Sequence, residues 1–220
     1  YPQKIISISE TVKKRVKKFL NRDSLVIFPP TETSKYYYKP SKGYWLSVNR
    51  LVSHKRVDLQ IKAFSLIPNE KLIIVGSYEK SNHFQLYAKE ILRLKTSNIE
   101  IKSWISNKEL IKLYAECKGF IATSLEEDYG MNVVEAMASG KPVIAPNEGG
   151  YKETIKNKRT GILIDNINEY KIVDAINEIN NKLSIDNNHY KNNCINQAKK
   201  FDIKIFIKKI KIEIQKCLQQ

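Results

Sequence analysis

Apolar and polar positions along this chain change period repeatedly, and the changes mark out strands and helices. YWLSV (44–48), KLIIVG (71–76), IEIKSW (99–104), KGFIAT (118–123), KPVIA (141–145) and GILI (161–164) are short apolar runs of strand length. Such runs suit strands covered on both faces. Helical stretches lie between them. Val57–Ile67 turns Leu59, Ile61, Ala63, Phe64 and Ile67 mostly inward, and Ser81–Lys95 and Asn107–Cys117 follow. An apolar helix begins at Gly130 and ends at Gly140, and two further helices are expected at 151–157 and 168–182. Strand and helix in strict alternation predict an α/β fold, a Rossmann-like doubly wound parallel sheet with helices on both faces.

The ends read differently. IISIS (5–9) is an expected strand, and Glu10–Asn21 a basic amphipathic helix with Val12, Val16, Phe19 and Leu20 on one face. SLVIF (24–28) is a second strand, stopped by Pro29-Pro30. The linker TETSKYYYKPSKG (31–43) is polar and without periodicity, and Tyr36, Tyr37 and Tyr38 read as packing on the domain rather than a stacking platform. The tail at 188–200 and 201–218 reads as helical, although FDIKIFIKKIKIEI alternates over much of its length and periodicity by itself also admits a strand.

One stretch, EDYGMNVVEAMASGKPVIAPNEGG from Glu127 to Gly150, carries chemistry. The loop after KGFIAT falls at the carboxyl edge of a parallel sheet, where ligands of open α/β folds bind. Unpaired backbone N–H groups at the helix start, Gly130, Met131 and Asn132, offer donors and a partial positive charge to an anion. Gly130 leaves room for an anion against the backbone. Glu127 and Glu135 would repel an anion, so their expected task is to accept hydrogen bonds from hydroxyls. A ligand with both phosphates and sugar hydroxyls, a nucleotide sugar, fits.

Composition changes this picture little. The chain has 220 residues and 42% hydrophobic content, enough for one good core or one and a half domains. No apolar run approaches the roughly 18 residues of a membrane span. Cys117, Cys194 and Cys217 are scattered, which favours a reducing compartment over disulfides or zinc, and His54, His83 and His189 do not cluster. The net charge of +15 invites a nucleic-acid reading, but an Ile-, Lys- and Asn-rich composition accounts for much of it, and no nucleic-acid partner is expected. The basicity concentrates at the ends: seven basic residues against Glu10 within 1–22, seven lysines against Asp202 and Glu213 within 199–220. That suggests an anionic membrane surface as a partner. The chain starts at Tyr1 rather than methionine, which reads as a trimmed piece.

The whole Glu127 stretch resembles the donor-binding half of a retaining glycosyltransferase of the GT-B fold, family four. That signature runs E-x-F-G, four residues, E-A-M-A-x-G-x-P-V-I-A, a Gly-rich turn and a further Glu. Here stand Glu127, Tyr129 in place of Phe, Gly130, Glu135-Ala136-Met137-Ala138, Gly140, Pro142 to Ala145, then Gly149, Gly150 and Glu153. The EDYG variant with NEGGYKE looks most like bacterial and archaeal mannosyltransferases. NRLVSHKR (49–56) resembles the family's second segment, in which Arg and Lys hold the donor diphosphate; Arg50, Lys55 and the later Asp58 match, while Asn49 replaces the usual Gly.

From this resemblance, Glu127 contacts the sugar hydroxyls and Glu135 the ribose. Arg50, Lys55 and the Gly130, Met131 and Asn132 amides hold the diphosphate, where cations stabilise the charge of the departing group. Trp104 and Ile105 would wall the nucleobase, or equally be core packing. Ser103 replaces a customary glycine, and Gly76-Ser77-Tyr78 replaces G-x-G-P, departures that leave base and sugar open. No cofactor and no metal are expected. The donor is GDP-mannose in preference to a UDP-sugar. The implied division is 1–42, the end of an N-terminal domain with its linker; 43–185, the nucleotide-sugar domain; and 186–220, helices crossing back. Transfer to a glycan or glycolipid acceptor would need the absent N-terminal domain, leaving this chain inactive by itself, with the enzyme cytoplasmic and peripheral at the membrane face. A non-catalytic donor-domain subunit or a basic nucleic-acid-binding domain is the alternative.

Overall fold

The computed structural model describes residues 4–76 and 82–219. It begins with β1 (Ile6–Ser7), α1 (Glu10–Leu20) and β2 (Leu25–Val26), whose two strands pair in parallel as a small sheet of their own. Pro29-Pro30 cannot donate ladder hydrogen bonds, and the chain leaves that sheet there. The larger sheet holds β3 (Tyr44–Val48), β4 (Lys71–Val75), β5 (Ile99–Lys102), β6 (Gly119–Ile121), β7 (Val143–Pro146) and β8 (Gly161–Ile164). Its spatial order is β5-β4-β3-β6-β7-β8, every pairing parallel. The order runs outward in both directions from the β3/β6 junction, so the sequence-predicted doubly wound sheet is present and its switch point lies between those two strands.

Helices α2 (Val57–Ser65), α3 (Asn82–Leu94), α4 (Asn107–Glu116), α5 (Met131–Ala138), α6 (Tyr151–Thr154) and α7 (Glu169–Ile185) form the connections. Trp45, Leu46, Ile61, Phe64, Leu72 and Phe120 are wholly buried at the centre of the core. Each such side chain contributes about 1.5–3 kcal/mol by leaving water. The Trp45 indole N–H is satisfied by Glu70, 3.0 Å away, which also receives Lys118 at 2.7 Å. A buried polar atom is thereby paired rather than stranded.

The expected helix at 151–157 stops at Thr154, because Lys158 takes a left-handed conformation and the Lys156 carbonyl accepts from Thr160 N–H in a tight turn. The helix expected over 168–182 instead runs to Ile185, capped at its start by the Asn168 side chain on Lys171 N–H. Ser77, Tyr78 and the expected helix start at Ser81 lie outside the described residues.

The ambiguous tail is helical: α8 (Lys191–Ala198), a 3₁₀ turn, then α9 (Ile203–Leu218), opened by Asp202 accepting from Lys204 N–H. Linker and tail clasp each other. Thr31 N–H donates to Phe201 and Ile203 N–H to Thr31, while Thr33 bonds the Asp202 carboxylate. From there α9 runs back to the small sheet, where Lys4 meets Glu213 at 3.5 Å. Neither α1 nor α9 contains a buried residue. The apolar face expected on α1 exists, but Phe19 and Leu20 stand exposed.

Candidate functional site

At the switch point, the loops leaving β3 and β6 are sewn together by side chains. After β3, Asn49 turns its amide onto Ser47 Oγ, and Arg50 stands exposed. Leu51 and Val52 then dive into the core, which forces the 3₁₀ turn Ser53–Lys55 back over the sheet edge. Arg56 closes that turn in the left-handed region (φ 48°). Its guanidinium donates to the carbonyls of Thr123 and Ser124 beyond β6 and to the Glu148 carboxylate at 2.6 Å. Thr123 Oγ1 donates to the Lys55 carbonyl and accepts from Gln60, and Leu125 N–H donates to the His54 carbonyl. These bonds brace the two loops against each other, the kind of support that pre-organised recognition uses.

Lys55 and Glu127 meet on this rim, Nζ to Oε2 2.6 Å, with both side chains mostly covered. Burial pushes the Glu127 carboxyl up, but the Lys55 ammonium beside it prevails and holds it below the usual carboxylate range. Glu127 is therefore ionised at neutral pH, an acceptor of hydrogen bonds and not a proton donor. The Tyr151 hydroxyl approaches the same oxygen at 3.5 Å. Gly149, at φ 56°, lets the loop after β7 lie against Glu127, and a Cβ there would meet the Glu127 carbonyl at 2.4 Å.

Beside this pair α5 begins. Gly130 caps it with φ 83°, and a Cβ would strike the Tyr151 ring at 2.7 Å. Backbone conformation and tyrosine packing each require glycine here, in addition to the room for an anion expected from the sequence. The Asn132 side chain donates to the Val48 carbonyl at 2.8 Å, tying the helix start to the end of β3. Its backbone N–H and that of Met131, whose side chain is exposed, belong to the first turn, where no carbonyl of the helix can reach them.

The other expected residues are placed less simply. Tyr129 is buried, stacked on Phe28 and edge-on to Phe201, so its side chain is packing and only its backbone remains for a ligand. Glu135 lies one turn along α5, about 6 Å below the helix start. Its carboxylate accepts from the Tyr114 hydroxyl at 2.8 Å, and Tyr36 packs against Tyr114 at the same place. Burial, then Glu135, raises the Tyr36 and Tyr114 hydroxyls well above their ordinary pKa, so both remain donors. Trp104 is 87% exposed in the loop after β5, which rules out core packing, whereas Ile105 is half-buried against the core. Asp58 ties α2 to α3 through the Tyr87 hydroxyl at 3.0 Å.

Arg56, Thr123, Glu148 and Tyr151 were not legible as site residues. Arg56 stands beside the recognised Lys55, but its role depends on a left-handed turn that no spacing encodes. Arg15 of α1 pairs with Glu126, at 3.1 Å, and with Asp128, so the acidic neighbours of Glu127 are anchored to the helix outside the main sheet. Among the described residues no group of three or more His, Cys, Asp or Glu side chains could hold a metal ion.

Comparison with known proteins places this geometry in a family. Residues 30–201 match the model described as Glycosyl transferases group 1. The chain is 27% identical over 219 residues to an uncharacterized glycosyltransferase of Methanocaldococcus jannaschii, covering 99% of this chain and 59% of that protein. Against the alpha-1,3/1,6-mannosyltransferase of Saccharomyces cerevisiae, identity is 30% over 189 residues, 66% of this chain and 38% of that protein. The fold is similar to that of Anabaena HepE, solved in complex with UDP and glucose, at TM-score 0.86, 20% identity and coverage of 98% of this chain and 63% of that one. The chain thus spans less than two thirds of each of these relatives.

Proposed function

The chain belongs to the group 1 glycosyl transferases, and on that premise we propose that it is the donor-binding half of a retaining glycosyltransferase. The enzyme moves a hexose, mannose in preference to glucose, from a nucleoside diphosphate sugar to a hydroxyl acceptor. The observation that carries this reading is the Lys55–Glu127 pair on a stitched rim beside the open start of α5. An ionised carboxylate accepts from sugar hydroxyls and orients the anomeric carbon. Arg50, Lys55 and the first amides of α5 face the diphosphate, whose negative charge grows as the sugar leaves. Contacts that strengthen with that charge favour the transition state over the bound donor. Glu135 takes the ribose hydroxyls, sharing its carboxylate with Tyr114, and Trp104 flanks the base.

The name of the yeast relative favours mannose and hence GDP, while the nucleotide named for the Anabaena structure keeps UDP as the competitor. The acceptor half would seat on the small β1–β2 sheet and α9, where an apolar groove of about 510 Å³ runs between Ile6, Leu25, Ile210 and Ile214. Glycan or glycolipid assembly is the setting that follows.

Calorimetric titration of GDP, UDP and ADP into the 220-residue chain, without added metal, tests this. One nucleotide is expected to bind, with affinity lost in Arg50→Ala. Silence from all three with the protein folded overturns the reading.

A further inference from the structure

A second cavity, of about 740 Å³, opens at the opposite edge of the sheet, where β6 and β7 start. Tyr38, Lys118, Lys141, Asn180, Tyr190 and Lys191 are among its lining residues. None of these belongs to the nucleotide rim, and a parallel sheet keeps its two edges a full strand length apart.

The charges here are unbalanced. Lys118 is neutralised by Glu70, and Glu116 is shared between Lys39 at 3.9 Å and Lys42 at 2.9 Å. Asp186 lies near Tyr38, and its carboxylate accepts from Asn188 N–H. Lys141 and Lys191 remain. Each ammonium sits 4.4 Å from the centre of the Tyr38 ring, so the two charges lie within twice that distance of each other. Among the described residues neither forms an ion pair. Lys141 is only 2% exposed, and its ammonium donates to the Lys39 carbonyl at 2.7 Å. Lys191 opens α8, which puts a cation at the positive end of a helix. Burial pulls Lys141 down to about 8; the Glu116 charge opposes this, and the Lys191 charge adds a smaller push in the same direction as burial. Burying one cation and placing a second beside it at a helix start leaves positive charge that Glu116 and Asp186 offset only in part, and an anion would offset the rest.

The same cavity offers acceptors. Asn180 gives its amide N–H to Glu70 at 2.9 Å, and its Oδ1 is buried with no partner. An unpaired acceptor calls for a hydroxyl donor rather than a second anion. We propose that this cavity is a second ligand site for a small phosphorylated polyol, with the phosphate between Lys141 and Lys191 and a hydroxyl on Asn180. It lies at the opposite edge of the sheet, separate from the donor rim.

Lysine footprinting on the whole chain tests this, because a bound phosphate covers the amines it contacts and holds them protonated, which slows their acylation. The rate of acetylation at each lysine would be read by peptide mass spectrometry, with glucose 6-phosphate, inorganic phosphate, glucose and sulfate at matched ionic strength. Glucose 6-phosphate is expected to slow Lys141 and Lys191 at least fivefold and saturably, more than inorganic phosphate does, and glucose not at all. Arg50→Ala should keep this protection, so failure of the nucleotide reading leaves the result intact. Lys191→Gln, at a partly exposed position, should abolish protection of Lys141, and Lys191→Arg restore it. Unchanged rates with glucose 6-phosphate, or equal slowing by sulfate, would overturn the proposal.

Discussion

Lys55 and Glu127 are 72 residues apart in sequence and 2.6 Å apart in space, and each makes the other's burial tolerable. Lys55→Met would leave a mostly covered carboxylate without its counter-charge, at a cost of about 1–3 kcal/mol. The pH dependence has a definite sign. Glu127 is held below its unfolded value of about 4.3, so the pair's stabilisation is complete above that pH and lost as pH falls through the lower folded value. Urea unfolding of wild type and Lys55→Met from about pH 7 to about pH 3 should therefore show the gap closing on the acid side. A constant gap would mean that packing, not charge, is what Lys55 supplies. Glu135→Gln keeps an acceptor for Tyr114, so the fold should hold. If the ribose reading is right, nucleotide affinity falls about tenfold, or ~1.4 kcal/mol; calorimetry showing no change would remove that role.

At the scale of elements, the apolar face of α1 is covered only in part, with Val12 and Val16 half-buried and Phe19 and Leu20 exposed. Its first turn is held by the Glu153 carboxylate, which accepts from the N–H groups of Glu10 and Thr11 at 2.8 and 2.9 Å, and Ser9 Oγ takes Val12 N–H. Arg15, one turn on, grips Glu126 and Asp128. A helix with Phe19 and Leu20 exposed is thus tied to α6 and to the loop after β6 by polar contacts along its first half. Glu153→Ala should cost about 1 kcal/mol of local stability. Faster amide exchange confined to residues 10–12 would confirm it, and unchanged exchange would show that Ser9 suffices. Glu153 was legible as the last acid of a family signature. That it caps a helix 142 residues earlier was not, because capping depends on where α6 lands.

At the scale of the whole molecule, the basic ends become two exposed helices, α1 and α9, carrying lysines beside uncovered Phe19, Leu20 and Ile212. Among the described residues no helix is long and apolar enough to cross a membrane. Apolar tips flanked by lysines suit the interface of an anionic bilayer, each charge adding about 1 kcal/mol. Co-sedimentation with vesicles containing phosphatidylserine should capture the chain at low salt and release it at high salt. Equal binding to neutral vesicles would rule out an electrostatic contact.

The amino-acid pattern by itself determined the alternation of strands and helices, the parallel sheet, and the strings that hold Arg50, Lys55, Glu127 and Gly130. Those features are local: burial on two faces leaves unbroken apolar runs, and a strand-to-helix turn needs its glycine wherever the fold carries it. Only the tertiary structure decided that Lys55 neutralises Glu127, that Arg56 sews the two loops, that Tyr129 is packing and Trp104 is bare. It also settled the tail as helix, since the clasp of Thr31 and Thr33 with Phe201 and Asp202 sets where α9 starts. Pairings of this kind join residues separated by 67 or more positions. Their energies depend on distance and desolvation, quantities that no spacing along the chain contains.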